Sequence, residues 1–220
     1  MIRLNITAEG FSEERFISDI LRPHLLEFGI YAESRKVLTN RKLRKRGGIV
    51  SYAKFKNDIT QWFRECPDVY HSTLIDLYGL KPDFPGHHEA KMKQPYERIE
   101  FMEDALKNEL DFHKFIPYIQ LHEFESLLFS DTEILQQWLG LYNTLPKRCF
   151  ELIKNTAGHG NPELINDNPN TAPSKRILGL CNTYDKVDDG VLILKEIGIT
   201  KLREHCKHFG EWITKLEQLK

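Results

Sequence analysis

Three short stretches of the chain place acids where they could do chemistry. In Thr7-Ala8-Glu9-Gly10-Phe11-Ser12-Glu13, a carboxylate closes an apolar run, a glycine makes a tight turn, and a helical pattern starts. Leu74-Ile75-Asp76-Leu77-Tyr78-Gly79 repeats that arrangement, and Gln120-Leu121-His122-Glu123-Phe124-Glu125 follows a third apolar run. An acid at the end of an apolar strand contributes little to packing. In open parallel sheets, ligands bind in the crevice outside the carboxyl ends of the strands. Acids gathered there can hold a hard divalent cation, Mg2+ or Mn2+, or act as general bases. Glu9 and Asp76 are the principal candidates for both roles. Glu13, one helical turn on, either joins them or only complements the helix dipole. Asp83, in the Pro-rich stretch after Gly79, either joins the site or makes an Asx turn. Glu123 and Glu125 are two residues apart, which sends them to opposite sides of a strand end. One of them is expected in the site and the other at its margin. His122 either contacts a phosphate or is structural.

The fourth stretch is basic. Arg35, Lys36, Arg41, Lys42, Arg44, Lys45 and Arg46 lie in a span without acids after Arg35, ending in Gly47-Gly48. Such a run is either a solvated loop or a local positive field for phosphate backbones. Arg41, Lys42, Arg44, Lys45 and Arg46 are the candidate nucleic-acid contacts. Lys175 and Arg176, at the start of a later helical pattern, form a second cationic pair.

These residues need a scaffold that brings strand ends to one edge. Ile2–Ala8 reads as a strand, and the pattern after it is helical, with Ser12 as its expected cap. Further strands are expected over Tyr31–Thr39, His71–Leu77 and Phe115–Leu121, with helices over Tyr52–Phe63 and Ile99–Leu110. Strands separated by helices imply right-handed crossovers and a mainly parallel sheet. The fold class expected is therefore α/β, a Rossmann-like sheet flanked by helices. From Glu123 onward only helical stretches follow: Phe124–Phe129, Thr132–Leu139, Lys147–Asn155, Ser174–Thr183, Asp189–Ile197 and Ile199–Leu219. The expected division is an α/β domain over residues 1–122 and a helical part over 123–220 packed on it. Between helices, Gly158 to Pro173 is rich in Gly, Asn and Pro and is expected to be ordered against the domain.

Composition narrows the function classes. Among 220 residues, 31 Lys and Arg face 32 Asp and Glu, a net charge of -1, which excludes a globally basic nucleic-acid binder. No apolar run approaches the roughly 18–20 residues of a membrane helix. The start, MIRLNITAEG, lacks a cationic segment followed by an apolar one. Cys66, Cys149, Cys181 and Cys206 form no CxxC pair, so reduced thiols in a cytoplasm are expected. His205, Cys206 and His208 do not converge on one face of a helix. No GxxxxGK[ST] is present, so an ATP-driven step would need a separate protein.

The strand–Glu–Gly-turn–helix and strand–Asp-turn patterns resemble the Toprim domain of topoisomerases, primases and overcoming-lysogenization-defect nucleases. In that fold the first Glu and a later Asp-x-Asp hold Mg2+ for phosphodiester chemistry. Glu9 matches the first position and Asp76 the first Asp; Tyr78 stands at the second. AEGFSEERF, DLYGLKPDFPG, LHEFESLLFSD and NPELINDNPNTAPSKRI together are similar to the Toprim-like domain-of-unknown-function family 4276. The resemblance implies a metal-dependent nuclease in which Glu9 and Asp76 hold the ion; Glu13 and Glu123 are expected to complete the catalytic set or orient the attacking water. Its metal ligands would come from Glu9, Asp76, Asp83, Glu123 and Glu125. It also implies a bacterial defence effector acting beside a separate AAA or ABC-type ATPase. The departure at Tyr78 opens the other reading, a non-catalytic module that docks on an ATPase or nucleic acid. A small-molecule phosphohydrolase would need only the same acidic edge.

Overall fold

The computed structural model describes residues 1–40, 45–46, 48, 51–142, 160–165 and 171–220. The central strand β1 (Ile2–Ala8) pairs in parallel with β2 (Ile30–Lys36) on one side. β3 (Leu38–Asn40) and β4 (Lys45–Arg46) form a separate antiparallel pair. On the other side of β1 lies β5 (Tyr70–Asp76), also parallel. β5 in turn carries β6 (Phe115–Ile116) and β7 (Ile119–Gln120), both parallel. The strand order is β2-β1-β5-β6, with β7 also on β5. This is the α/β architecture expected from the sequence.

The last strand differs from its expected form. Phe115–Leu121 is not continuous, because Pro117 has no amide to give to the ladder. Thr73 fills the gap with its side chain. Its hydroxyl donates to the Tyr118 carbonyl at 2.9 Å and accepts from the Tyr118 amide at 2.8 Å.

Alternation of side chains divides the core into two. Leu4, Ile6, Ala8 and Leu74 face α1 (Phe11–Phe16) and its continuation, together with the C-terminal helices. Ile75 and Ile119 face the other way, against Phe55, Ile59 and Phe63 of α3 (Tyr52–Glu65) and Ile99, Met102 and Leu106 of α4 (Pro95–Leu110). α1 runs through a π-type turn at Ile17–Leu21 into α2 (Arg22–Leu26). Pro23 explains the widening, since its ring crowds the carbonyl four residues back and it has no amide to offer. The α1 cap is Gly10 rather than Ser12. The Ser12 hydroxyl instead reaches the Lys186 carbonyl at 3.3 Å.

The C-terminal part contributes α5 (Thr132–Tyr142), α6 (Pro173–Leu180), α7 (Asp188–His205) and α8 (Lys207–Glu217). Phe124–Ser130 is a 3-10 segment, and the expected helix Lys147–Asn155 lies outside the described residues. Gly198, at φ 77°, breaks α7 where the sequence pattern already changed. The expected helix Ile199–Leu219 is interrupted at Cys206, whose backbone is extended and whose side chain is fully buried. This part shares the first core cluster with the sheet. Phe16 meets Phe124 and Phe209 edge-on, and Tyr118 stacks on Trp212 at 4.3 Å between centroids. Among the described residues no helix is long and apolar enough to cross a membrane.

Glu163, in the Asn-rich connector, is fully buried and closes this arrangement. Its carboxylate accepts from the amides of His208 at 3.0 Å and Phe209 at 2.8 Å, and from the Tyr96 hydroxyl at 3.0 Å. It thus caps α8 from a distance, satisfying amides that the helix itself cannot. His208 continues the network to Glu103 at 2.9 Å, and Glu103 accepts the Ile119 amide at 2.7 Å. The described parts of the connector are therefore packed, with Pro162, Ile165 and Ala172 buried. Glu163→Ala leaves two buried amides without a partner. It should lower the unfolding free energy by roughly 2–4 kcal/mol, measured by urea denaturation. A midpoint equal to that of the parent would show that water replaces the carboxylate without loss.

Candidate metal centre

β1 and β5 end side by side, with Ala8 paired to Leu74. The Glu9 amide donates to the Leu74 carbonyl at 3.1 Å, which carries the pairing one residue past the strand. The Glu9 side chain then turns across, and its Oε2 accepts from the Asp76 amide at 3.0 Å. Gly79 makes room for it: a Cβ there would stand 2.6 Å from Glu9 Oε1. Glu13 folds back in a capping box, with Oε2 accepting the Gly10 amide at 2.8 Å. Asp76 is partly exposed as a residue, yet its Oδ1 is shielded from solvent and has no hydrogen-bond partner.

These acids feel one another. Burial first, then Glu9, Glu13 and Glu125, pushes the Asp76 carboxyl well above its ordinary range, against the Phe124 amide. Burial also raises Glu9, with Glu125 and Glu123 adding to it and the Asp76 amide and Lys81 opposing it. Glu13 is raised from 4.5 to about 7, by burial and then by the charges of Glu9 and Glu125. A group of acids raised in this way is short of positive charge.

The other predicted acids have their own partners. Glu123 Oε2 accepts the Ser174 amide at 3.1 Å at the start of α6. Glu125 pairs with Lys186 at 2.8 Å. Asp83 accepts the Tyr52 amide at 3.0 Å and so serves the start of α3. His122 adopts a left-handed backbone, at φ 67°, and its carbonyl accepts the Tyr78 amide at 3.1 Å. Tyr78 is 50% exposed.

Among the described residues, no three His, Cys, Asp or Glu side chains stand close enough together to hold an ion. The donor chemistry nonetheless fits a hard cation. It consists of carboxylate oxygens only, and Asp76 Oδ1 is a buried acceptor with nothing to accept. Glu9 and Asp76 are the residues that would hold the ion.

Of the basic residues, Arg41, Lys42 and Arg44 lie outside the described residues, while Lys45 and Arg46 form β4. The end of this stretch returns to the acidic edge, because the Gly48 amide donates to the Glu9 carbonyl at 2.9 Å. Arg35 lies over the Trp62 ring at 4.2 Å, and Lys36 pairs with Glu14 under the Phe11 ring. Lys175 is exposed, and Arg176 Nε donates to the Thr171 carbonyl at 2.5 Å.

Two residues at this edge escape a reading of the sequence. Lys186 reaches Glu125 from the loop before α7. Tyr184 has a buried hydroxyl without a partner, and the Glu125 charge helps to raise its pKa, after burial. Neither spacing nor composition marks them, because they lie more than a hundred residues from Asp76 and arrive only through the packing of the C-terminal helices.

The Glu13 carboxyl predicts a pH dependence. The folded protein holds this proton up to a pH of about 7, whereas the unfolded chain releases it near 4.5. The folded state therefore binds more protons between those values, and this contribution is full below 4.5 and lost as pH rises to about 7. Glu13→Gln keeps the bond from Gly10 and removes the charge. Its Tm should match the parent near pH 4.5 and exceed it at pH 8, as read by thermal melts across that range. Parallel curves would mean that Glu13 is not held against its charge.

Comparison with known proteins agrees with the architecture. No curated protein is significantly similar in sequence. Among solved structures, the C-terminal region of the Burkholderia pseudomallei OLD protein superposes with a TM-score of 0.51 at 13% identity, covering 98% of this chain and 97% of that one. The C-terminal region of the Xanthomonas campestris pv. campestris OLD protein gives a TM-score of 0.42 at 14% identity, covering 98% and 97%. At these identities the first of the two likenesses is one of fold alone. The family model for a domain of unknown function, DUF4276, matches residues 8–217, from the end of β1 to the end of α8, and the chain belongs to that family.

Proposed function

We propose that this protein hydrolyses nucleic-acid phosphodiesters with the help of Mg2+ or Mn2+ at the Glu9–Asp76 edge. In this reading it is an effector of bacterial defence that works with a separate AAA or ABC-type ATPase. The observation that carries the reading is Asp76 Oδ1, a buried carboxylate oxygen without a partner among acids that repel one another. A divalent cation held there would stabilise charge on phosphoryl oxygens and lower the pKa of a bound water. Glu13, with a pKa of about 7, can take up or release a proton near neutral pH, which suits a general acid or base. Glu9 keeps its carboxylate oriented through the Asp76 amide, and Gly79 preserves the space for it. Glu123 supports the site indirectly, by fixing the start of α6 beside it. Arg44, Lys45 and Arg46 supply the field for the substrate backbone.

One observation favours the second reading, an interaction module without catalysis. Tyr78 is exposed at the position where the Toprim pattern has its second acid. The two readings part on the same variants. Glu9→Gln and Asp76→Asn should abolish cleavage of DNA or RNA in Mg2+ or Mn2+ while circular dichroism stays unchanged. Replacing Arg44, Lys45 and Arg46 with Ala should weaken nucleic-acid binding and flatten its salt dependence by roughly one unit of slope per lost phosphate contact. Parent protein that binds no divalent ion and cuts no nucleic acid, even with its ATPase present, would sink the enzyme reading. Partner binding that survives Glu9→Gln but fails in the basic variant would then favour the module.

A further inference from the structure

We infer that Lys186 is the built-in counter-cation of the acidic edge, occupying Glu125 in the metal-free protein and displaced when a divalent cation enters beside Glu9 and Asp76. The inference rests on the proposed metal site. It begins with an imbalance: Glu9, Glu13, Asp76 and Glu125 act on one another at this edge. Lys186 Nζ stands 2.8 Å from Glu125 Oε1 and its charge also acts on Asp76, while Lys81 acts on Glu9. Glu125 is buried, with its side chain 7% exposed, while the Lys186 side chain is 43% exposed. The anion is thus fixed and the cation has a path to solvent.

The backbone around Lys186 is held on both sides. The Ser12 hydroxyl donates to the Lys186 carbonyl at 3.3 Å, and Arg15 Nη1 donates to the Val187 carbonyl at 3.4 Å. Arg15 also pairs with Asp188. Asp185 Oδ1 accepts the Val187 and Asp188 amides at 2.8 Å each, and Asp189 Oδ2 accepts the Asp185 amide at 2.8 Å. A pinned backbone carrying a long, flexible stem delivers one ammonium to one place and lets it swing out. A lysine suits that task better than an arginine, since its charge is compact and forms no two-pronged clamp. A doubly charged ion neutralises more of the cluster than one ammonium does. Entry of the ion therefore weakens the hold of Glu125 on Lys186, and each cation opposes the other.

The test is a calorimetric titration of Mn2+ into the parent protein, Lys186→Gln and Lys186→Arg, with thermal melts of each. Lys186→Gln should bind Mn2+ roughly fivefold tighter, the size of one part-exposed ion pair. It should also melt lower than the parent without metal and gain more in Tm with it, while Lys186→Arg, whose planar fork clamps a carboxylate, should bind Mn2+ more weakly than the parent. A glutamine variant that binds Mn2+ no tighter than a metal-binding parent would overturn the role of Lys186 and leave the metal site standing. Absence of binding in all three proteins would overturn the metal site and this inference together. A measurement on the unmodified protein guards against a variant that fails to fold. The side-chain nitrogen resonance of Lys186 should move toward that of a solvated lysine as Mg2+ saturates the site. A resonance that stays in place at saturation would refute displacement.

Discussion

The pairing of β1 with β5 is the constraint from which the rest of the edge follows. Because Ala8 lies opposite Leu74, the two strands run out together, and the next acids on each meet at one place. The contact is made by backbone as much as by side chain: Glu9 gives its amide to Leu74 and takes the amide of Asp76. A register shift of two residues would keep the same faces buried but would separate the acids by about 7 Å along the strand. The hydrophobic pattern of Leu4, Ile6 and Ala8 selects the face. The parallel ladder and the crossover through α1 and β2 select the level at which the strands end.

The C-terminal helices complete the edge, and they are held by buried polar groups as well as by apolar surface. Glu163 and Glu103 both receive backbone amides from other elements, and His208 of α8 bonds Glu103 of α4. Buried carboxylates of this kind stabilise only when their bonds are made, because an unpaired one bears the full cost of desolvation. The acidic edge departs from that rule. Asp76 Oδ1 lacks the partner that Glu103 and Glu163 have, and the proposed chemistry rests on that difference.

Most of the sheet was legible in the sequence, and for physical reasons. Strand-end acids followed by Gly10 and Gly79 announce a turn from an apolar strand into solvent, and the Glu9 carboxylate does reach the Asp76 amide. Other acids were ambiguous because a carboxylate serves a distant helix start as well as it serves a metal. Asp83 and Glu123 accept amides from Tyr52 and Ser174, and no local pattern tells which helix lies in reach. The break in Phe115–Leu121 was foreshadowed by Pro117, but the Thr73 hydroxyl that bridges it comes from a neighbouring strand. Lys186 was invisible because its position depends on the loop before α7 lying against α1, a tertiary contact without a signature in spacing.

Glu9 has a second connection besides its carboxylate. Its carbonyl accepts the amide of Gly48, the residue that closes the basic stretch. A single residue therefore offers its side chain to the acidic crevice and its main chain to the segment carrying Lys45 and Arg46. Peptide planarity links the two, since the carbonyl of Glu9 and the amide of Gly10 move as one unit. The Gly10 amide is itself held by Glu13. The basic stretch and two of the acids thus meet at one peptide plane, with no intervening side chain. In mechanical terms the Glu9–Gly10 peptide is a strut shared by two neighbours, the Gly48 amide on its oxygen and the Glu13 carboxylate on its nitrogen.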